Sequence, residues 1–319
     1  MNSEKNAKVS IVLPVYNEQG NIDTLYNEIS DVMRTGTNEY EIIFVDDGST
    51  DESYLRLSDI QKADPNVVVV KFRRNFGQTA AMAAGFDTAS GDIIVTMDAD
   101  GQNDPQDIPT LLQKISEGYD LVSGWRHKRQ DTLLLRRIPS ILANRVISFT
   151  TDVNLHDYGC TLKAFRRDVV ENIQLYGEMH RFIPAIASWI GVEIAEVKVN
   201  HRARTSGQSK YGLSRTFRVI LDLITVKFLL SYSSRPLQFF GVFGLTFGGV
   251  GLLLSTYLLI ERLFFEVPLA DRPMLLLAVF LMFSGLQIIT VGLLAELQTR
   301  TYHEAQNKPI YVIREILRG

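Results

Sequence analysis

From residue 9 to about 125, short β-branched and apolar runs alternate with stretches whose apolar positions recur at helical spacing. The runs are Val9–Val15, Tyr40–Val45, Val67–Phe72, Asp92–Met97 and Asp120–Ser123; between them lie Asn21–Met33, Asp51–Ala63, Gln78–Ala89 and Asp107–Glu117. Such alternation predicts an α/β domain built on a mostly parallel sheet with helices on both faces. Ligands of these sheets bind beyond the carboxyl ends of the strands. The polar tails PVYNE (Pro14–Glu18), DDGS (Asp46–Ser49) and DADGQ (Asp98–Gln102) are therefore expected on one rim. Residues 126–150 read as basic and amphipathic. Cys160–Phe165, a short helix, Phe182–Ile190 and a strand at Glu193–Val199 are expected to complete a domain spanning residues 1–210.

The pattern then changes character. Tyr211–Ser231 sets Leu213, Phe217, Ile220, Ile224 and Phe228 on one helical face, with Arg215, Arg218 and Asp222 elsewhere, which predicts a helix lying in a membrane interface over residues 211–235. Pro236–Ile260 and Pro273–Leu297 carry no charge until Glu296. As helices each would extend about 37 Å, enough to span a bilayer. Residues 236–297 thus read as a transmembrane hairpin, followed by a tail at 298–319. Lys and Arg are concentrated outside the hairpin, whereas its connection, Glu261–Arg272, holds two Arg and three acidic residues. The positive-inside rule places both termini and the large domain in the cytoplasm, at the inner membrane. The closing KPIYVIREILRG is open between docking on its own domain and docking on a neighbour.

Composition agrees with a soluble part joined to a membrane part: 46% of the 319 residues are hydrophobic and the mean hydropathy is +0.04. With 33 Lys and Arg against 36 Asp and Glu, the net charge of −3 gives no reason to expect a nucleic-acid partner. Locally the balance differs, since residues 126–145 carry six Lys/Arg and one Asp, and residues 201–235 carry seven and one. Those stretches point a basic surface at something anionic. The single cysteine, Cys160, excludes an intrachain disulfide and suits a reducing compartment. The first eighteen residues lack the apolar core of a signal peptide.

Asp98-Ala99-Asp100 is the most suggestive chemistry. A D-x-D after a strand is often only a solvated or capping turn. A hard divalent cation, however, takes one or two carboxylates and fills its remaining positions with phosphate oxygens and water. Neither G-x-x-x-x-G-K-[ST] nor G-x-G-x-x-G is present, so no glycine loop competes for a diphosphate. Asp47 and Asp51 read as turn and N-cap residues, because DDGSTD opens a helix. Gly244 and Gly248 form a G-x-x-x-G in the first span, compatible with packing inside the hairpin or with a homo-oligomer.

The motifs VSIVLPVYNEQGNI, FVDDGSTD, VTMDADGQNDP, HDYGCTLKAFRRDV and RARTSGQSKYG, in this order, resemble the inverting family 2 glycosyltransferases of GT-A fold. Within them they resemble the polyprenyl-phosphate branch, over roughly residues 8–235. The resemblance implies that Pro14, Tyr16 and Glu18 surround a nucleotide and that Asp46 lies near its base or ribose; for Pro14 and Tyr16 the bland alternative is strand-end packing. Asp98 and Asp100, helped by Gln102, would hold Mg2+ or Mn2+ on a sugar-donor diphosphate. Arg204, Ser209 and Lys210 match a segment that closes over the donor, with Gly207 supplying backbone freedom. Arg126, Arg136 and Ser140 match positions that receive a lipid phosphate; Arg137 and Arg145 are assigned to anionic headgroups or to plain solvated charge. Asp157 is open between catalytic base and orienting residue, because a phosphate monoester is already largely ionised at neutral pH.

The expected reaction is transfer of one sugar from a nucleotide donor, UDP-glucose first, to undecaprenyl phosphate, with inversion at the anomeric carbon. The alternatives are other donors (a UDP-aminoarabinose derivative, a UDP-N-acetylhexosamine, GDP-mannose) or a non-catalytic membrane scaffold that binds lipid. A processive polymer synthase is disfavoured by the absence of Q-x-x-R-W.

Overall fold

The computed structural model describes residues 7–127, 155–173, 175, 179–202, 236–266, 268–269, 272–305 and 310–319. The chain divides into one compact unit of Met1–Val226 with Pro309–Gly319 and another of Lys227–Lys308. Most of the basic stretch 126–150, the expected interfacial helix 211–235, and the expected site residues Arg136, Ser140, Arg204, Ser209 and Lys210, with Arg137, Arg145 and Gly207, lie outside the described residues.

In the first unit β1 (Val9–Val15), α1 (Ile22–Thr35), β2 (Tyr40–Asp46), α2 (Ser53–Ala63), β3 (Val67–Phe72), α3 (Gln78–Thr88), β4 (Ile93–Thr96), α4 (Ile108–Ser116) and β5 (Leu121–Arg126) follow the predicted alternation. β6 (Lys163–Arg166), α5 (Arg167–Glu171), α6 (Ile183–Trp189), β7 (Ile194–Val199) and, near the C-terminus, β8 (Ile313–Leu317) complete it. The strands form one eight-stranded sheet in the order β7-β5-β6-β4-β1-β2-β3-β8. β1 pairs in parallel with β2 and β4, β2 with β3, and β5 with β7; β6 and β8 run antiparallel to their neighbours. The closing segment therefore docks on its own domain, as the strand at the β3 edge.

The strands read as continuous β-branched runs because both faces of the sheet are covered. Val9, Ile11, Leu13 and Val15 share a core with Leu25, Ile29, Leu57, Ile108 and Leu111 of α1, α2 and α4. Val12, Ile43 and Val45 belong to a second core with Ala80, Ala81 and Ala84 of α3. The small residues of α3 let it lie close to the sheet: a Cβ on Gly85 would stand 2.2 Å from Val12 Cγ1.

From β1 the chain winds outward through β2 to β3, and α3 then carries it back across to β4 on the other flank of β1. The strand order reverses between β1 and β4, and a crevice at that reversal is where open α/β sheets bind ligands. Pro14 marks it. Val12 gives its carbonyl to Met97 N, so Pro14, two residues on, turns its missing N–H to the same flank, just past the last β1–β4 pair, Val12–Thr96. The proline there costs no ladder bond.

The second unit holds α7 (Pro236–Phe265) and α8 (Pro273–Ala305), each longer than the sequence pattern predicts. Their apolar stretches, Phe240–Phe265 and Pro273–Ala295, have mean hydropathies of 1.8 and 2.3 and turn most of their surface outward, so both are long and apolar enough to cross a membrane. Gly285 faces the G-x-x-x-G of α7: a Cβ on it would stand 2.5 Å from Gly248 N and 2.6 Å from Gly244 O. The motif is used inside the hairpin.

Candidate functional site

The three polar tails meet the rim as their strands end. PVYNE and DDGST are clipped together by Asn17, one of two non-glycine residues with positive φ (57°) among the described residues. Its N–H donates to Ser49 Oγ at 3.0 Å, and its Oδ1 accepts from Thr50 N at 2.8 Å. Gly48 has φ 70°, and a Cβ there would lie 2.5 Å from the Arg74 carbonyl carbon, so only glycine lets the β2 loop pass the β3 loop.

Asp46, at the end of β2, is fully buried; its Oδ1 accepts from Ser49 N at 3.0 Å, while its buried Oδ2 has no hydrogen-bond partner. Burial raises its pKa. An orphan carboxylate oxygen at a strand end is costly unless a ligand donor meets it. Tyr16 is 36% exposed, Pro14 and Glu18 are half-buried, and Glu18 Oε2 accepts from Asn21 Nδ2 at 2.7 Å.

Asp47 lies in the expected turn after β2 and does more there: its two oxygens accept from Phe76 N (2.6 Å) and Gly77 N (2.9 Å), tying the β2 loop to the start of α3. Burial pushes its pKa up to about 6. Asp51 does serve the turn, accepting from Ser53 N at 3.0 Å and Gln19 N at 3.3 Å.

Just past β4, Asp98 Oδ1 accepts from Gln78 Nε2 at 2.7 Å, and Asn103 Oδ1 accepts from Asp98 N and from Thr161 Oγ1, each at 3.1 Å. Asp100 Oδ1 accepts from Gln102 N at 3.1 Å, and the Gln102 carbonyl accepts from Arg202 N at 2.9 Å. Burial, then the Asp100 charge, pushes the Asp98 pKa up to about 6, against the pull of the Thr161 side chain and then of Arg126 and Lys163. A carboxylate in that position is one a cation would stabilise.

Arg126 ends β5 and grips Asp157 as a fork, Nε to Oδ2 at 2.7 Å and Nη2 to Oδ1 at 2.9 Å. Asp157 is 2% exposed, and its Oδ1 also accepts from Gly159 N at 3.1 Å. His156 Nδ1 lies 2.7 Å from Glu196 Oε2 and its ring stacks on Trp125 at 4.2 Å, a structural setting. Beneath this loop lies Lys163, buried in β6, whose ammonium donates to the carbonyls of Tyr158 and Cys160.

The structure thus brings Asp98, Asp100, Arg126 and Asp157 to the carboxyl side of β4 and β5, and Pro14, Tyr16, Glu18 and Asp46 to the adjoining ends of β1 and β2. Gln78, Asn103, Thr161 and Lys163 were not singled out from the sequence. Asn103 alone had a visible cue, closing the DADGQN turn; the others act across the fold. Among the described residues no group of three or more His, Cys, Asp or Glu could hold a metal ion. A carboxylate pair fits a cation whose other positions are filled by phosphate and water, as with Mg2+.

Residues 10–174 match the sequence model described as glycosyl transferase family 2. Over 97% of its length the chain is 44% identical to a dodecaprenyl-phosphate galacturonate synthase of Rhizobium johnstonii, covering 93% of that protein. It is 39% identical, over 97% of its length and 94% of the relative's, to an undecaprenyl-phosphate 4-deoxy-4-formamido-L-arabinose transferase of an Enterobacter species. Among solved structures, glucosyl-3-phosphoglycerate synthase from Mycobacterium tuberculosis superposes with a TM-score of 0.55 at 21% identity, covering 70% of this chain and 80% of that one, a likeness of fold. A switch-point crevice with a D-x-D on this GT-A-like sheet is the frame of a glycosyltransferase. The chain belongs to glycosyl transferase family 2, and its relatives over the whole length are polyprenyl-phosphate sugar transferases.

Proposed function

We propose that the protein transfers a single sugar from a nucleotide-diphosphate donor to a polyprenyl phosphate at the membrane surface, with inversion at the anomeric carbon. The observation that carries this reading is the Asp98–Asp100 pair beside Arg126, at the β1/β4 reversal of strand order, in a chain whose other unit is an apolar hairpin. Asp46 and the PVYNE residues Pro14, Tyr16 and Glu18 take the nucleotide, the orphan Asp46 oxygen accepting from its base or ribose. Asp98 and Asp100, with Gln102 beside them, would hold Mg2+ or Mn2+. When bound, that cation supplies positive charge to the donor diphosphate and its leaving group. Asn103 and Gln78 keep Asp98 in place.

Arg126 and, outside the described residues, Arg136 and Ser140 receive the attacking lipid phosphate; Arg204, Ser209 and Lys210 close on the donor. We read Asp157 as an orienting residue, because both its oxygens already accept from Arg126 and a phosphate nucleophile needs little help to lose its proton. The chain leaves the first unit for the hairpin and returns to it, so two crossings keep all of that unit on one side, which the flanking Lys and Arg make the cytoplasmic side of the inner membrane.

UDP-glucose is the donor first expected from the family resemblance. The names of the whole-length relatives favour instead a uronic acid or a formamido-pentose. Incubating purified protein and undecaprenyl phosphate with UDP-galacturonate, UDP-4-deoxy-4-formamido-L-arabinose and UDP-glucose in turn tests this. Turnover at least tenfold higher with one of the first two is expected; preference for glucose would return the donor to the first expectation.

A further inference from the structure

We infer that the segment returning from the membrane hairpin, and Tyr311 in particular, is a positioning element of the transferase site, setting α3 so that Gln78 holds Asp98. The inference rests on the function proposed above for Asp98. It is carried by contacts that the segment makes with the C-terminal end of α3 and with the end of β3 and the connection that leads into α3.

At the C-terminal end of α3, the Tyr311 hydroxyl donates to Asp87 Oδ2 at 2.5 Å and Arg318 Nη2 donates to the Thr88 carbonyl at 3.0 Å. At the end of β3, the Tyr311 ring stacks on Phe72 with centroids 5.2 Å apart and planes 12° from parallel, and Phe72 packs edge-on against Phe76, in the connection to α3, at 5.6 Å. The Val312 carbonyl accepts from Arg73 N at 3.1 Å, so the β3–α3 connection is hung on the returning segment. Phe76 N and Gly77 N then reach Asp47, and the next residue, Gln78, reaches Asp98.

Tyr311 is 8% exposed, whereas Val312 and Ile316 in the same segment are nearly half exposed, so of the two residues that reach α3 it is Tyr311 that is the buried anchor. α3 packs on the sheet mostly through small residues, Thr79, Ala80, Ala81, Ala84 and Gly85, with Met82 and Phe86 its two large buried side chains and Phe86 edge-on to Phe165 at 5.8 Å in the C-terminal half. The first turn, which carries Gln78, has no large buried side chain, and the returning segment holds the connection that leads into it. Tyr311 and Arg318 follow both apolar helices in the chain, so α3 is fully set only once the chain has returned from the hairpin.

The test uses the full-length protein in detergent, with hydrogen exchange across residues 73–88 as one readout and steady-state transfer as the other. Tyr311→Ala is expected to speed exchange in 73–88 while leaving α1 unchanged, and to lower kcat about tenfold or more, as small misplacements of reacting groups do, with the KM for polyprenyl phosphate within twofold of wild type. Tyr311→Phe keeps the stack and loses only the Asp87 bond. It should speed exchange at residues 85–88 alone and keep kcat within about threefold, and it tests the positioning role even if the alanine variant does not fold. Unchanged exchange over 73–88 in both variants overturns the inference, whatever the donor proves to be. Faster exchange with undiminished kcat also overturns it, leaving the strand a purely structural edge. Absence of polyprenyl transfer by the wild type would count against the function and not against the positioning of α3, which the exchange readout judges separately.

Discussion

Asp46 and Asp47 sit side by side, both buried, and their surroundings give them different work. Asp46 keeps an oxygen unpartnered at the crevice, whereas Asp47 spends both oxygens on the backbone of the next crossover. The sequence shows two adjacent carboxylates and a turn; the partners of Asp47 lie 29 and 30 residues away, which no local pattern reveals. Its raised pKa gives a signed expectation. Neutral Asp47 is favoured in the fold, so its contribution is fully present below about pH 3.8 and is lost as pH rises through about 6. That swing is worth about 3 kcal/mol. Thermal unfolding of Asp47→Asn between pH 4 and 7 should fall less with rising pH than that of wild type; parallel curves would show that Asp47 does not carry the effect. Asp98→Asn and Asp100→Asn should each lower transfer a hundredfold or more, in line with about 3 kcal/mol of lost charge stabilisation, while leaving the unfolding temperature within a few degrees. If Asp157 acts by holding Arg126, then Asp157→Asn and Arg126→Lys should impair kcat to similar extents without reshaping its pH profile. Loss of one limb of that profile in Asp157→Asn alone would make it the base.

At the scale of elements, the parallel core was legible because buried strands and amphipathic helices alternate with little ambiguity. β1 and β3 have the expected bounds, and the remaining strands and helices of that core shift only by a few residues at their ends. β8 was not legible: Ile313–Leu317 is five residues with Arg314 and Glu315 at its centre, and an edge strand exposed on one side has no apolar periodicity to display. Gln78 has no local cue for a related reason, since its partner Asp98 lies 20 residues on and meets it only once α3 is folded against the β4 end. The hairpin was plain from length and hydropathy alone, while the use of its glycines needed coordinates. Gly285→Leu would drive a side chain into the backbone of Gly244 and Gly248 and should cost about 1–3 kcal/mol. A Cβ on Gly249 meets nothing within 4 Å, so Gly249→Leu should be near neutral. Protease resistance of the two variants in lipid nanodiscs separates them; equal sensitivity would argue against a glycine-packed hairpin.

For the whole molecule, two solvents explain the two units. A nucleotide donor is soluble and charged, and a polyprenyl phosphate keeps its chain in the bilayer; the proposed function needs an α/β domain and an apolar hairpin in one chain. The mass of the lipid formed from undecaprenyl phosphate and a labelled nucleotide sugar tests this account most directly. The account predicts a lipid heavier by one sugar residue, still carrying a single phosphorus, with the nucleoside diphosphate released and the product absent with Asp98→Asn. A lipid that gains a second phosphorus along with the sugar, or equal product from Asp98→Asn, would contradict it.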